Sequence, residues 1–350
     1  MELLPQELDC ALITSDINRR YFTGMLSSAG TLVCFRDEAY LIIDFRYIEK
    51  ARKTAKGCVV LQQDNIYSQI TELLVKHGAK TIAVESMELS LFRFAQLREK
   101  LEDHAELDSS NALSKAVYAC RMVKEPEETE KILQAQKIAE EAFQHILGFI
   151  REGVSERDIQ LELDFRMLRL GAEELSFPTI ALTGAATSMP HGVPSAERYV
   201  QKGDFVLMDY GAVVDGYHSD MTRTVAVGQP TDEMAGVYST VLEAQEKAIR
   251  AVRAGITGQQ LDAIARTHIA EAGFGECFGH SLGHGVGMEI HEYPNAAPSS
   301  STVLRSGNVI TIEPGIYLPE KFGVRIEDFV LVTENGCKNL TSAPKNMIIL

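Results

Sequence analysis

The sequence predicts two domains, a smaller α/β domain over residues 1–115 and a larger α+β domain over residues 120–350. Three observations predict this. At 350 residues the chain is long enough for two domains of ordinary size. Its first third alternates short β-rich runs with helical stretches, the pattern of a parallel or mixed sheet. Beyond a polar break at Leu107-Asp108-Ser109-Ser110-Asn111, long amphipathic helices alternate with strand-like runs.

In the first domain the strand candidates are residues 11–14, 31–35, 40–43 and 81–84, with helices over 68–77 and 91–101. After the break, residues 126 to about 150 read as a long helix. Glu127, Glu128 and Glu130 lie in its first turn, where negative charge suits the helix dipole. Ser155, with Asp158 three residues on, caps a second helix running towards Leu170. A third covers 232–254 and a fourth 257–272, the latter followed by Gly273. Strand-like runs occupy 205–213, 217–227, 309–313 and 324–332. The order helix, helix, hairpin occurs twice after residue 125, which suggests an internal duplication.

Composition narrows the function classes. An apolar share of 45% beside 24% charged residues is that of a globular protein and excludes a fibrous or disordered chain. The start, Met1-Glu2-Leu3-Leu4-Pro5, lacks the basic-then-apolar pattern of a signal peptide, and no apolar run is long enough to cross a bilayer. The expectation is a cytoplasmic protein with no membrane partner. A net charge of -15 argues against nucleic acid, whose binding rests on basic patches. Cys10, Cys34, Cys58, Cys120, Cys277 and Cys337 are scattered with no C-x-x-C pair, so they read as reduced thiols.

The chemistry concentrates in two acidic hairpins. In the first, Asp215-Gly216 between β-rich flanks is a two-residue turn signal. With that turn Val214 faces Tyr217 and Gly211 faces Asp220, which sets Asp209 diagonally from Asp220 on one face of the ribbon. In the second, a connection centred on Glu320 sets Glu313 opposite Glu327, with Arg325 on the same face. Like charges on apolar ribbons need cations, arginine or protons for compensation. The plain alternatives are ion pairs, Asp220 with Arg223 or Glu313 with Arg325.

Histidines supply the rest. His280, His284 and His291 fall within twelve residues amid Gly279, Gly283, Gly285 and Gly287, and His191 sits beside Gly192. Glycine permits close backbone approach. The glycines, and the missing H-E-x-x-H glutamate, argue against a helical zinc motif. Four carboxylates with one imidazole form a hard ligand set suited to manganese, iron or cobalt more than to thiolate-type zinc. Carboxylate-bridged cations acidify water and polarise a carbonyl, so hydrolysis is the natural reaction class.

Together these residues resemble the pita-bread metallopeptidases: Xaa-Pro dipeptidase (prolidase), aminopeptidase P and, more distantly, methionine aminopeptidase. Asn18-Arg19-Arg20-Tyr21-Phe22-Thr23-Gly24 and Asp44-Phe45-Arg46-Tyr47 look like the family's creatinase-like N-terminal domain, and Arg121-Met122-Val123-Lys124-Glu125-Pro126-Glu127 like the start of its catalytic domain. The fold implied is a curved antiparallel sheet backed by helices in two pseudo-symmetric halves. The resemblance implies that Asp209 and Asp220 hold one divalent metal ion, that His284 and Glu313 hold a second, and that Asp220 and Glu327 bridge them. It implies a metal-bridging water as nucleophile, with Glu313 as general base. His191, His280, His291 and Arg325 fall on positions that bind substrate and steady the tetrahedral intermediate. It further implies a short peptide substrate with proline second, and a homodimer; among the metals that the ligand set suits, manganese is the first expectation, with cobalt, iron and zinc as alternatives. The segment Thr183-Gly184-Ala185-Ala186-Thr187-Ser188 departs from relatives that carry asparagine before the serine. The rival readings are a creatinase-like amidinohydrolase and a non-catalytic peptide-binding module, both of which are expected to lack the full ligand set.

Overall fold

The computed structural model describes Leu4 and residues 8–350, so most of the opening segment read above for a leader lies outside the described residues. The chain divides into two compact units, Met1–Arg121 and Met122–Leu350. In the first, strands β1 (Cys10–Ile13), β2 (Thr31–Cys34), β3 (Ala39–Ile43), β4 (Val59–Gln62), β5 (Thr81–Val84) and β6 (Glu106–Asp108) form a sheet in the order β4-β3-β2-β1-β5-β6. β2 runs antiparallel to β1 and β3, while β1–β5, β3–β4 and β5–β6 are parallel. Successive residues of β1 enter different cores: Ala11 and Ile13 join Leu32 and Leu41, whereas Cys10 and Leu12 join Val33 and Ile42. A sheet covered on both faces requires continuous apolar runs, which is what the sequence carries there. Five helices connect and flank the strands: α1 (Asp16–Thr23), α2 (Ile48–Thr54), α3 (Ile66–His77), α4 (Leu91–Leu101) and α5 (Ala112–Met122). Leu113 and Val117 of α5 pack into one of these cores, which carries the unit past residue 115.

In the second unit a helix pair precedes each set of strands. Helices α6 (Pro126–Leu147) and α7 (Glu156–Arg169) come before β7 (Glu174–Leu175), β8 (Ile180–Thr183), β9 (Phe205–Tyr210), β10 (Ala212–Val214), β11 (Tyr217–His218) and β12 (Met221–Ala226). Helices α8 (Asp232–Ala251) and α9 (Gly258–Glu271) come before β13 (Gly283–Gly285), β14 (Glu292–Ala296), β15 (Val309–Ile312), β16 (Gly315–Leu318), β17 (Phe322–Arg325), β18 (Asp328–Thr333) and β19 (Gly336–Asn339). Local chemistry starts these helices where the sequence places them. The Ser155 hydroxyl accepts from the Asp158 N–H, and Thr257 and Gln260 form a reciprocal capping box. Each helix pair backs one half of the sheet system. Ala142, Phe143 and Leu163 pack on Val206, Met208 and Met221, and Val241, Leu261 and Ile269 join a core with Ile310, Ile312 and Val330.

Both hairpins keep the register expected from their turns. Val214 pairs with Tyr217 across Asp215 and Gly216, whose φ of 50° and 84° are the left-handed pair of a type I′ turn. The same register continues to Thr222 opposite Asp209. In the second hairpin Gly315 pairs with Arg325 and Ile312 with Asp328, which sets Glu313 opposite Glu327 about a turn at Glu320 with φ 62°. The hairpins meet along a seam: the Glu327 N–H donates to Thr222 O at 3.2 Å, and Thr224 Oγ1 donates to Arg325 O at 3.0 Å. Arg223 locks that seam, donating to Glu327 O and Ala343 O and pairing with the buried Asp328 at 2.7 Å. Asp220 is therefore not the partner of Arg223.

Candidate metal centre

The seam brings acids from both hairpins together. Asp209 sits in β9, Asp220 just before β12, Glu313 just after β15 and Glu327 just before β18. Asp220 and Glu327 are 4% and 1% exposed. Burial, and then Glu327, Asp209 and Glu313 in turn, push the Asp220 carboxyl well above the usual aspartate range. Burial also lifts Glu327 well above its ordinary value, with Glu313 and Asp209 adding to it, and lifts Glu313 to about 8. These four carboxylates repel one another in a place with little water to screen them.

Arg325 relieves part of this. It is 3% exposed, and its Nη2 lies 2.6 Å from Asp209 Oδ2. The pair it makes is thus with Asp209, not with Glu313. Two oxygens stay unanswered: Asp209 Oδ1 and Glu327 Oε1 are buried with no hydrogen-bond partner.

His284 faces the acids from β13. Its Nε2 is 3.3 Å from Glu313 Oε1 and 3.6 Å from Asp220 Oδ2. Its Nδ1 lies 3.1 Å from Gly285 O. A carbonyl oxygen only accepts, so Nδ1 carries the proton and Nε2 presents a lone pair. Burial, and then His291, push the imidazole down to about 3, so it stays neutral. A lone pair aimed at carboxylate oxygens is repulsive unless a proton or a cation lies between them. That orientation, with two orphaned oxygens beside it, fits a cation site. Ligand atoms of Asp220, His284 and Glu327 all lie within 4.8 Å of one another.

Glycine makes this approach possible. A Cβ on Gly283 would meet Thr311 O at 1.9 Å and one on Gly285 would meet Tyr293 O at 2.5 Å. Only a strand bare on both sides of His284 fits so closely between its neighbours.

The other histidines divide. His291 is exposed, with its ring edge against His284 at 4.2 Å between centroids, and His191 is exposed on the loop after residues 184–188. His280 is engaged at both nitrogens, Nδ1 to Ser281 O at 2.8 Å and Nε2 to the Tyr317 hydroxyl at 2.9 Å. Tyr317 in turn accepts from Arg325 Nη1 at 2.8 Å. Burial and then Arg325 push His280 down to about 4, consistent with a neutral acceptor at the end of this chain.

The profile of metallopeptidase family M24 matches residues 130–334, and that of the creatinase/prolidase N-terminal domain matches residues 2–123. The chain belongs to metallopeptidase family M24. An Xaa-Pro dipeptidase of Pyrococcus furiosus is 38% identical over 342 residues, spanning 97% of this chain and 95% of its own. Among solved structures, an Xaa-Pro dipeptidase from Bacillus anthracis superposes with a TM-score of 0.93 at 41% identity, covering 98% of this chain and 95% of the other. An X-Pro aminopeptidase from Thermotoga maritima does so with a TM-score of 0.92 at 36% identity, covering 98% of each. The M24 chain has the pita-bread fold of these neighbours, preceded by a creatinase-like unit.

Three supporting residues of this M24 site carry no motif of their own. Thr222 donates to Glu327 Oε2 at 2.7 Å and accepts from Arg325 Nε at 3.1 Å. Thr311 donates to Glu313 Oε1 at 3.0 Å and accepts from the His284 N–H at 3.0 Å. Tyr317 joins Arg325 to His280. Strand alternation was the available signal: Thr222 lies two residues after Asp220, and Thr311 two before Glu313, each on the acidic face.

Proposed function

We propose that the chain hydrolyses the peptide bond preceding proline in short peptides, with two divalent cations held by Asp209, Asp220, His284, Glu313 and Glu327. The observation that carries this is the unprotonated Nε2 of His284 directed at Glu313 and Asp220, beside the unpartnered buried oxygens of Asp209 and Glu327. Asp209 and Asp220 would hold one cation and His284 and Glu313 the other, with Asp220 and Glu327 shared. When bound, such a pair of cations acidifies a water molecule and polarises the scissile carbonyl. Glu313, held towards the site by Thr311, takes the proton as the water oxygen bonds to the carbonyl carbon. It returns that proton to the proline nitrogen as the C–N bond breaks, so the leaving group departs as a neutral amine. His191 and His291 are exposed and face substrate. Arg325 orients Asp209, and His280 acts through Tyr317 to hold Arg325 in place.

Proline at the second position is supported by the dipeptidase and aminopeptidase relatives. The oxygen-rich ligand set supports manganese over zinc. Homodimerisation and a cytoplasmic location belong to the same reading; among the described residues no helix is long and apolar enough to cross a membrane. The test is hydrolysis of Ala-Pro beside Ala-Pro-Ala, after chelation and re-addition of manganese, cobalt, iron or zinc. Cleavage of Ala-Pro alone marks a dipeptidase and cleavage of Ala-Pro-Ala an aminopeptidase. No cleavage of either peptide with any of the metals overturns the proposal.

A further inference from the structure

Helix α9 holds the loop that carries His280 and His284 through more than apolar packing. Asp262, 1% exposed, accepts from the Leu282 N–H through Oδ1 at 3.0 Å. One turn on, Arg266 grips the same carboxylate twice, Nε to Oδ2 at 2.7 Å and Nη2 to Oδ1 at 2.9 Å. The rest of the guanidinium turns to the loop. Nη1 donates to Phe278 O at 2.9 Å and Nη2 to His280 O at 2.8 Å. Its carbon lies 4.3 Å from the Phe278 ring centroid, and that ring meets His280 edge-on at 5.0 Å.

An i,i+4 ion pair on a helix needs no loop to form. Here the pair is bidentate, and each remaining hydrogen bond goes to the backbone between Phe278 and Leu282, two residues before His284. The planar fork of arginine can reach a carboxylate and two carbonyls at once, which a lysine ammonium cannot do with the same geometry. We infer that Asp262 and Arg266 are positioning residues for the metal centre: they fix the Phe278–Leu282 backbone and thereby the direction of His284. The inference rests on the reading of His284 as a metal ligand. Groups hydrogen-bonded directly to a ligand commonly govern metal affinity by about 10- to 100-fold, and a clamp that acts one step further back, through the backbone, belongs at the lower end of that range.

The experiment is calorimetric titration of the metal-free full chain with manganese, beside its melting temperature without metal. Arg266→Lys is expected to weaken manganese binding by about 10-fold while the metal-free melting temperature stays close to that of the parent. Asp262→Asn, which leaves both Arg266–carbonyl contacts in reach, reads the same quantity should Arg266→Lys not fold. Ile269→Val in the core of α9 is the control, expected to lower the melting temperature and leave affinity unchanged. Parent-like affinity in both clamp variants overturns the inference. So does a loss of affinity that merely tracks lost stability, as the control would then show too. His284→Ala separates the two claims. If it binds manganese like the parent, the ligand reading itself has failed and the inference falls with it; if it loses binding while the clamp variants keep it, only the clamp is wrong.

Discussion

Glu313 shows how little a single residue decides by itself. On an isolated strand it would be an ordinary carboxylate; burial near Asp209 raises it to about 8, with Arg325 and Thr311 opposing that rise. Replacement by glutamine keeps the shape and the Thr311 contact but removes the proton acceptor. Glu313→Gln should lower kcat by about 10²- to 10⁴-fold, with a circular dichroism spectrum and melting temperature like those of the parent. A variant that kept most of its turnover would remove Glu313 from the chemistry. The cysteines illustrate the same dependence on surroundings. Burial pushes the Cys34 thiol up to about 12 and that of Cys10 higher still, whereas Cys120 is exposed. The thiolate is the reactive form. Iodoacetamide at pH 8 should therefore label Cys120 well before Cys10 or Cys34, read by peptide mass spectrometry.

Among the elements, the seam between the hairpins bears the most. Arg223 and Asp328 are both buried, and Lys345 adds a second cation to Asp328 at 3.0 Å. Burial acts to raise the Asp328 carboxyl, but Arg223 and Lys345 outweigh it and hold the group below its ordinary value. A lowered folded pKa means that the ionised form contributes stability that is fully present above the unfolded aspartate range and is lost as pH falls below that range through the lowered folded value. The group that holds this carboxylate ionised is tested by Arg223→Leu, which leaves Asp328 free to titrate. Removing Arg223 leaves the buried Asp328 with Lys345 as its remaining cation and strips the donor from Glu327 O and Ala343 O, so Arg223→Leu should cost about 3–5 kcal/mol by urea unfolding at pH 7. That cost should shrink as pH falls and Asp328 takes up a proton.

The hairpins were legible because their turns declare themselves: Asp215-Gly216 fixes one register, and the spacing about Glu320 fixes the other. Helix α7 was legible from the cap at Ser155 and α9 from the glycine that follows it, Gly273. Helix α1 was not, because the face it buries is Asn18, Arg19 and Thr23, which leaves no apolar period to read. Strand β4 is largely exposed at the sheet edge and carries little pattern for the same reason. The seam contacts of Thr222 and Arg223 with Glu327 span more than a hundred residues, and no local signal encodes such a pairing.

At the scale of the whole molecule, two helix-backed hairpins hold acids that neither could keep buried alone, and cations would relieve the strain of bringing them together. A cation that binds only the folded chain stabilises it by mass action, about 2.7 kcal/mol per site at a hundredfold excess over Kd. Chelation should therefore lower the melting temperature by several degrees, and manganese should restore it. Whether these five side chains enclose two metal ions is tested most directly by anomalous diffraction from crystals grown with manganese. Two peaks are predicted, one contacting Asp209 and Asp220, the other His284 and Glu313, with Asp220 and Glu327 touching both. Manganese bound elsewhere, or a well-ordered site with none, would contradict it.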